Sequence, residues 1–208
     1  MSPSQAPSSR KLDSRFVGAL PLVDAFLDAL KIDDLLAKSV FGGGSVPPAR
    51  ALGVLLRNII LDDRQPVYSH AEWASRVEPA LLGLAEGEAA SLNDDRVGRA
   101  LDRLFDADRA AIMTEIVLRA VAGFEIDLDR LHNDSTTITV TGQYREADGR
   151  EERGKPTLRV TYGHNKDHRQ DLKQILFALT VTGDGAVPVH YRAWDGNTSD
   201  SKTHIDSW

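Results

Sequence analysis

One aspartate stands inside a stretch of sequence whose other residues favour a β-strand. The run Leu131–Val140 reads LHNDSTTITV, and its threonines and β-branched residues favour a strand, in which aspartate is normally disfavoured. Because side chains alternate along a strand, Asp134 should share a face with His132 and Thr136. A carboxylate there needs a compensating partner, and a divalent cation would give it a chemical use. The residues also leave a structural interpretation open, either an exposed edge-strand aspartate or an aspartate bonded to its neighbouring hydroxyl groups.

The charged segment Tyr162–Lys173, with the sequence YGHNKDHRQDLK, is a second candidate. Its cations Lys166, Arg169 and Lys173 could position a phosphate backbone, which proteins contact largely through such side chains. A solvated charged loop without a ligand is the other interpretation of the same residues.

The histidines of this segment suggest a different chemistry. His164 and His168 lie four residues apart, and Asp167 or Asp171 could join them as metal ligands if the segment were helical. Gly163 disfavours a helix that starts this early, which argues against the metal interpretation.

A third polar segment, DGNTSD at residues 195–200, has the composition of a turn. It follows a strand-like run, and we expect it near the same sheet edge as Asp134. Ser199 could cap a helix that begins at Ser201.

The first 125 residues, which precede all of these candidates, read as helices. Pro21 suits a first helical turn, Gly42–Gly44 is a flexible break, and Pro47 with Pro48 restarts the chain. Apolar residues recur at helical spacing, which predicts buried stripes that carry no chemistry. The first two stripes are Leu22, Val23, Phe26, Leu27 and Leu30, and Leu52, Leu55, Leu56, Ile59 and Ile60. The third helix should begin at about Asp94, and its stripe is Val97, Leu101, Leu104 and Phe105. The fourth helix should begin after a cap at Asp106 or Asp108 and stop at Gly123, and its stripe is Ile112, Ile116 and Val117.

The pattern changes to strands after these helices. The polar segment 141–156 reads as a loop or hairpin tip, and Leu158, Val160 and Tyr162 alternate as in a half-buried strand. Two further strand-like runs, 175–181 and 187–194, flank a Gly-Asp-Gly turn and predict a β-hairpin. The sequence therefore predicts an α+β protein, helices first and an antiparallel meander second. One face and one edge of that meander would be uncovered.

Net charge, cysteine content and the length of apolar runs limit the classes of function that this sequence can have. The formal net charge is -6, and a protein that grips DNA through many phosphates usually has a basic surface, so the total argues against autonomous DNA binding; the stretch 150–173 is nevertheless net basic. The chain has no cysteine, which excludes disulfides and thiol nucleophiles and suits a reducing cytosol. No apolar run reaches about 18 residues, so we expect no membrane span. Residues 1–14 read as a disordered tail without the apolar stretch of a signal peptide.

Three of these motifs together resemble a known family, the DDE transposases of bacterial insertion sequences of the IS-four superfamily type. The matching motifs are HNDSTT (132–137), GHNKDHRQDLKQ (163–174) and DGNTSD (195–200), and NDDRVGR (93–99) is similar to the N-terminal domain of such transposases. The resemblance implies a helical N-terminal domain at residues 15–125. It also implies that residues 126–208 are the first antiparallel strands of an incomplete RNase-H-like domain.

The resemblance implies a role for Asp134 as the first of three carboxylates. In that family two Asp and one Glu hold two Mg²⁺ ions, for which Mn²⁺ can substitute, and the ions promote in-line attack on a phosphodiester. Asp195 and Asp200 lie in the turn before the helix that precedes the second Asp, so neither replaces it. Because one carboxylate cannot hold two metal ions, we expect these 208 residues alone not to cleave DNA.

The resemblance also implies partners and alternatives. The partners are transposon-end DNA and a second copy or a full-length transposase, in the bacterial cytoplasm and on the nucleoid when bound to DNA. A non-catalytic module that binds DNA ends or interferes with a transposase is an alternative function. A decayed remnant is another.

Overall fold

The computed structural model describes residues 14–61, 65–164, 169–199 and 203. Within them α-helices come first and strands follow, so the predicted α+β class is confirmed. The α-helices are α1 (Leu20–Ala29), α2 (Ile32–Ser39), α3 (Pro48–Ile60), α4 (His70–Arg76), α5 (Asp94–Asp106) and α6 (Arg109–Phe124), with short 3-10 helices at Val67–Ser69, Pro79–Leu82 and Glu88–Ser91. The strands are β1 (Leu131–Val140), β2 (Glu151–Glu152), β3 (Lys155–Pro156), β4 (Lys173–Thr182) and β5 (Pro188–Asp195).

The chain divides into two compact units, residues 1–109 and residues 110–208, called here the helical unit and the sheet unit. The domain boundary predicted from the sequence follows residue 125, whereas α6 lies almost entirely in the sheet unit. The predicted tail falls on residues outside the described part, except for Ser14. No helix in the described part is long and apolar enough to cross a membrane.

The core of the helical unit uses a different side of α1 from the predicted one. Leu22 and Phe26 are 64% and 53% exposed, while Leu20 and Leu27 are buried, so the predicted stripe is wrong at two of its positions. The reason is a charge. Asp24 lies between Leu20 and Leu27 at helical spacing and is held inward by an ion pair, which a count of apolar residues cannot detect.

The same shift occurs on α3. Leu52 is buried as predicted, but Ile59 and Ile60 are exposed, and Arg57 and Asn58 are buried instead. The predicted stripe is therefore wrong at its C-terminal end, because the inward side of α3 carries polar groups.

Arg57 accounts for the buried charge. Its Nε donates to Asp24 Oδ1 at 2.8 Å, and its terminal nitrogens donate to the Asp33 carboxylate at 2.9 and 3.2 Å, so one guanidinium ties α3 to α1 and α2. Gly53 makes room for it, because a Cβ there would lie 2.7 Å from Asp33 Oδ1. Burial would lower the pKa of Arg57, but hydrogen bonds to the two aspartates and their charges outweigh burial and raise it.

Helix ends follow local rules where the sequence offers a cap. α5 begins after Asn93, whose side chain accepts a first-turn N–H at 2.9 Å, as its predicted start near Asp94 requires. On α5, Val97 is buried as predicted, whereas Leu101 is exposed and the prediction there is wrong. The helices α2 and α4 have no predicted counterpart, because eight and seven residues show too little periodicity.

β1, β4 and β5 form an antiparallel sheet in the order β1-β4-β5. β1 has the predicted bounds, and the predicted β4–β5 hairpin is confirmed. β2 and β3 form a small hairpin inside the predicted loop. The predicted strand through Leu158, Val160 and Tyr162 is wrong: Thr161 makes a single bridge to Gln174, because β5 occupies the same edge of β4 from Ile175 onward.

Candidate functional site

Asp134 is exposed on β1, on the face that strand alternation predicts. His132 and Thr136 share that exposed face, while Ser135 and Thr137 are buried on the opposite face. Asp134 Oδ1 accepts the N–H of Ser135 at 2.8 Å, so one carboxylate oxygen is held close to the strand backbone. The carboxylate is therefore accessible from solvent and partly oriented by its own strand.

The neighbours of Asp134 on this face are apolar. In the sheet register Asp134 stands opposite Leu179, and Leu179 stands opposite Tyr191, so these three side chains form one row. The Tyr191 ring stacks on Phe177 with centroids 6.0 Å apart, and Tyr191 remains 41% exposed. An aspartate thus sits at one end of an accessible aromatic and aliphatic surface, called here the Asp134 face.

The opposite face of the sheet is buried and contains polar as well as apolar side chains. Ser135, Thr137 and Gln174 lie there beside Leu176 and Ala178, each nine-tenths or more inaccessible. Among the described residues, the Thr137 hydroxyl and the Gln174 carbonyl oxygen have no hydrogen-bond partner. The buried face therefore carries more polar groups than the buried face of a half-buried sheet usually does.

One edge of β1 is unpaired in the described part of the chain. β4 is the central strand and pairs with β1 on one side and β5 on the other, so no strand of the described residues pairs with the far edge of β1. Asp134 therefore lies on an edge strand, as its simplest interpretation predicts. That edge is also where a further strand could be placed beside it.

The described part of the third motif, residues 195–199, does not lie near Asp134, and the expectation that it would is wrong there. Asp195 stands opposite Ile175, which stands opposite Ile138, four residues along β1 from Asp134. The turn also belongs to β5, which lies two strands away from β1. Asp195 has a structural partner instead, since its Oδ1 accepts the N–H of Arg159 at 2.8 Å.

The second and third sequence motifs meet at a corner of the sheet. A Cβ on Gly163 would lie 2.0 Å from the carbonyl oxygen of Gly196, and one on Gly196 would lie 2.0 Å from that of Gln174. Gln174 Nε2 also donates to the Gly196 carbonyl at 2.7 Å. The glycines of these motifs are therefore required by close backbone packing, which is a structural role.

The cations proposed for DNA contact have local partners where they are described. Arg169 makes two 2.8 Å hydrogen bonds to Asp171, and both side chains are exposed. Hydrogen bonding between them raises the pKa of Arg169 and lowers that of Asp171. Lys173 donates to the carbonyl of Gln143. Lys166 lies outside the described residues, so its proposed DNA contact stays a prediction.

The described residues do not form the metal site that the sequence suggested at His164 and His168. His164 is exposed, whereas Asp167, His168 and Asp200 fall outside the described residues. In the described part of the chain no group of three or more His, Cys, Asp or Glu side chains could hold a metal ion. The described residues thus offer Asp134 as a single ligand, and no reaction step is derived through a metal in this chain alone.

Fold and site together define the class of protein: a helical unit followed by an antiparallel sheet that presents an aspartate on its first strand. The chain belongs to the family described as Domain of unknown function (DUF4277), whose model matches residues 12–118. The match covers α1 to α5 and most of α6, and it does not include the sheet. No similar protein was found among curated proteins, and none among solved structures.

Proposed function

We propose that this chain forms part of a DDE transposase of a bacterial insertion sequence, of the IS-four superfamily type, with Asp134 as the first metal-binding carboxylate. The observation that carries the proposal is the position of Asp134. It is an exposed aspartate in the first strand of an antiparallel meander, on a strand whose far edge pairs with no other strand of the described residues. The three motifs that resemble the family supply the reaction class.

Asp134 would supply oxygen ligands to one or both of two Mg²⁺ ions, for which Mn²⁺ can substitute. Such ions polarise the attacking and leaving oxygens of a phosphodiester during strand cleavage and transfer. The second Asp and the Glu must come from further elements. A strand that paired with the free edge of β1 would lie about 4.8 Å away, and two-metal sites hold their ions about 3.5–4 Å apart, so a carboxylate on that strand would reach the same ions.

The substrate in this proposal is transposon-end DNA, with a second copy or a full-length transposase as protein partner. The protein would work in the bacterial cytoplasm, on the nucleoid when bound to DNA. Acidic residues outnumber basic ones within residues 12–118, so net charge does not favour the helical unit as an autonomous DNA reader. DNA contact through Lys166, Arg169 and Lys173 of the sheet unit remains part of the proposal, and Arg169 would have to exchange Asp171 for a phosphate.

An excision assay in bacteria tests the proposal. The complete coding sequence of the gene, with its flanking DNA placed around a marker, should support loss of the marker. Asp134→Asn should reduce that loss by several orders of magnitude, because an amide cannot replace a carboxylate as a metal ligand. Asp184→Asn, in the exposed β4–β5 turn, is the matched control and should leave excision unchanged.

Two results would contradict the proposal. One is excision that persists in Asp134→Asn. The other is a complete gene product that restores no second Asp or Glu and excises nothing while still binding the element ends, since this would favour the non-catalytic module.

A further inference from the structure

A cavity of about 310 Å³ lies in the helical unit, on residues that carry no part of the proposed transposase chemistry. It opens between α4 and the segment Phe16–Gly18. Its walls include Phe16, Gln65, Ser69, Glu72, Trp73 and Arg76. Small-molecule sites range from about 300 to 1,000 Å³, so this cavity has room for a molecule of one or two rings.

One wall of the cavity is the Phe16 ring, and the backbone fixes it there. The N–H of Phe16 donates to the carbonyl of Arg76 at 2.7 Å, and its carbonyl accepts the N–H of Glu78 at 3.2 Å. Gly18 has a φ of 52°, and a Cβ at this residue would lie 2.5 Å from Phe16 Cζ. The absence of a side chain at Gly18 therefore lets the ring fold back to its present position.

A second wall is the indole of Trp73. Trp73 is 6% exposed and stacks on the buried His70 ring at 5.5 Å with an interplanar angle of 23°. The stack fixes the plane of the indole. Both aromatic side chains line one small cavity, and the Phe16 ring, which is 51% exposed, offers the face on which a flat π-system can stack.

Apart from the apolar Val77, the rest of the lining is polar without net charge. Ser69 and Gln65 each offer a donor and an acceptor, and Arg76 is paired with Glu72 four residues earlier. Because the cation is already matched by a carboxylate, the cavity does not favour a phosphate. Because polar groups line it, a purely hydrocarbon ligand would leave them unpaired.

We infer that this cavity binds a nucleobase-type ring, a planar uncharged heterocycle whose edge carries both hydrogen-bond donors and acceptors. Base stacking on aromatic side chains tolerates any base, so the faces supply affinity and the polar groups orient the edge. The ring could belong to a free nucleoside or to an unpaired base of a nucleic acid. The inference does not depend on Asp134 or on transposition.

Isothermal titration of the full chain tests the inference with adenosine, guanosine, cytidine, uridine, a short single-stranded oligonucleotide and a blunt duplex. At least one nucleoside should bind in the millimolar range or tighter. Phe16→Ala should weaken that binding about tenfold or more, as expected for the loss of one stacked ring. Phe41→Ala, an exposed phenylalanine of the same unit outside the cavity, should leave it unchanged. Tighter binding of the single strand than of nucleoside or duplex identifies an unpaired base as the source, and the reverse order identifies a free nucleoside.

Substitutions at two glycines, Gly18 and Gly83, test the inference independently in case Phe16→Ala disturbs the fold. Gly18→Ala pushes on the Phe16 ring, whereas Gly83→Ala strains a similar backbone, with φ of 63°, and meets no atom within 4 Å. Only Gly18→Ala should weaken nucleoside binding. The inference is overturned if no nucleoside binds, if Phe16→Ala and Gly18→Ala bind like their controls, or if toluene binds as tightly as the nucleosides.

Discussion

The two units of this chain differ in how they treat the polar side chains that they bury. In the helical unit, Leu20, Val54 and Leu92 are inaccessible, and the one buried guanidinium among the described residues has two aspartates against it. In the sheet unit, Ser135 and Gln174 are buried beside Leu176 and Ala178, and the Gln174 carbonyl oxygen has no hydrogen-bond partner among the described residues. Ile138 and Tyr191 on the Asp134 face are about two-fifths exposed, although they are among the larger apolar side chains of the sheet.

We call the helical unit the scaffold and the sheet unit the platform, because the two units differ in what they bury and what they expose. The helical unit closes its own apolar core and satisfies its buried charge, as a self-contained fold must. The sheet unit presents an apolar face with an aspartate on it and an open strand edge beside that aspartate. Such a face gains stability when further structure packs on it. The proposed chemistry belongs to the platform, and the scaffold should tolerate its loss.

The largest effect should come from breaking the charge cluster of the helical unit. Arg57→Ala leaves Asp24 and Asp33 without their cation, and because the Asp33 side chain is half exposed, the loss should be about 2–4 kcal/mol, less than for a fully buried pair. Urea denaturation followed by circular dichroism measures the free energy of unfolding. Arg99→Ala removes an exposed pair with Asp95 at 3.7 Å and should cost less than about 1 kcal/mol. Equal losses for the two variants would contradict the scaffold description.

The next effect should come from the packed corner of the sheet unit. Gly196→Ala places a Cβ 2.0 Å from the backbone oxygen of Gln174, and overpacking of this kind costs about 1–3 kcal/mol. Gly98→Ala, in α5 with open space around it, should instead stabilise the chain by up to about 1 kcal/mol. Thermal unfolding compares the two. A Gly196→Ala variant as stable as the natural chain would show that the corner is loosely packed.

A smaller effect should appear as a pH dependence in the helical unit. Burial lowers the pKa of His70 below its ordinary 6.5, and its ring nitrogens have no partner among the described residues. The unfolded state therefore binds the proton more readily. The stability contributed by neutral His70 is full above pH 6.5 and decreases as the pH falls from 6.5 toward the lowered pKa.

Urea denaturation between pH 7.5 and pH 5 measures this loss. His70→Leu should flatten the curve in that range, while the exposed His190→Gln should leave it unchanged. A curve for His70→Leu as steep as that of the natural chain would assign the pH dependence to other groups.

The smallest effect should be on non-specific DNA affinity. Asp171→Asn removes the negative charge and one of the two acceptors that hold Arg169, so this cation can meet a phosphate more readily. The slope of log affinity against log salt concentration should steepen by about 1. Fluorescence anisotropy with a labelled duplex measures the slope, and Asp184→Asn is the control. An unchanged slope would remove Arg169 from the proposed DNA contact.

Local patterns predicted the strands better than the helix faces. β1 follows from a run of strand-favouring residues, and the β4–β5 hairpin follows from two such runs with a turn between them. The residues that produce each of these elements are close together in the sequence. The inward side of α1 and α3 could not be read in this way, because it depends on Arg57 meeting Asp24 and Asp33 across three helices. The one available signal in the sequence was Arg57, a charged residue directly after the apolar run at 51–56.

The site was predicted in part for the same reason. Strand alternation places Asp134 on the exposed face, as the sequence indicated. The distance between Asp134 and the turn at Asp195 depends on the register of β4, which no local motif encodes, so that expectation failed. The cavity lined by Phe16 and Trp73 joins residues about 60 positions apart and has no sequence signature.

The central claim is that Asp134 is a metal ligand on a platform that further elements complete. The most direct measurement is the anomalous signal of Mn²⁺ in crystals of the complete gene product bound to element-end DNA. The account predicts a Mn²⁺ ion coordinated by an Asp134 oxygen, together with a carboxylate from a strand paired to the free edge of β1. A complete protein in which Mn²⁺ lies elsewhere, or in which that edge of β1 stays unpaired, would contradict it.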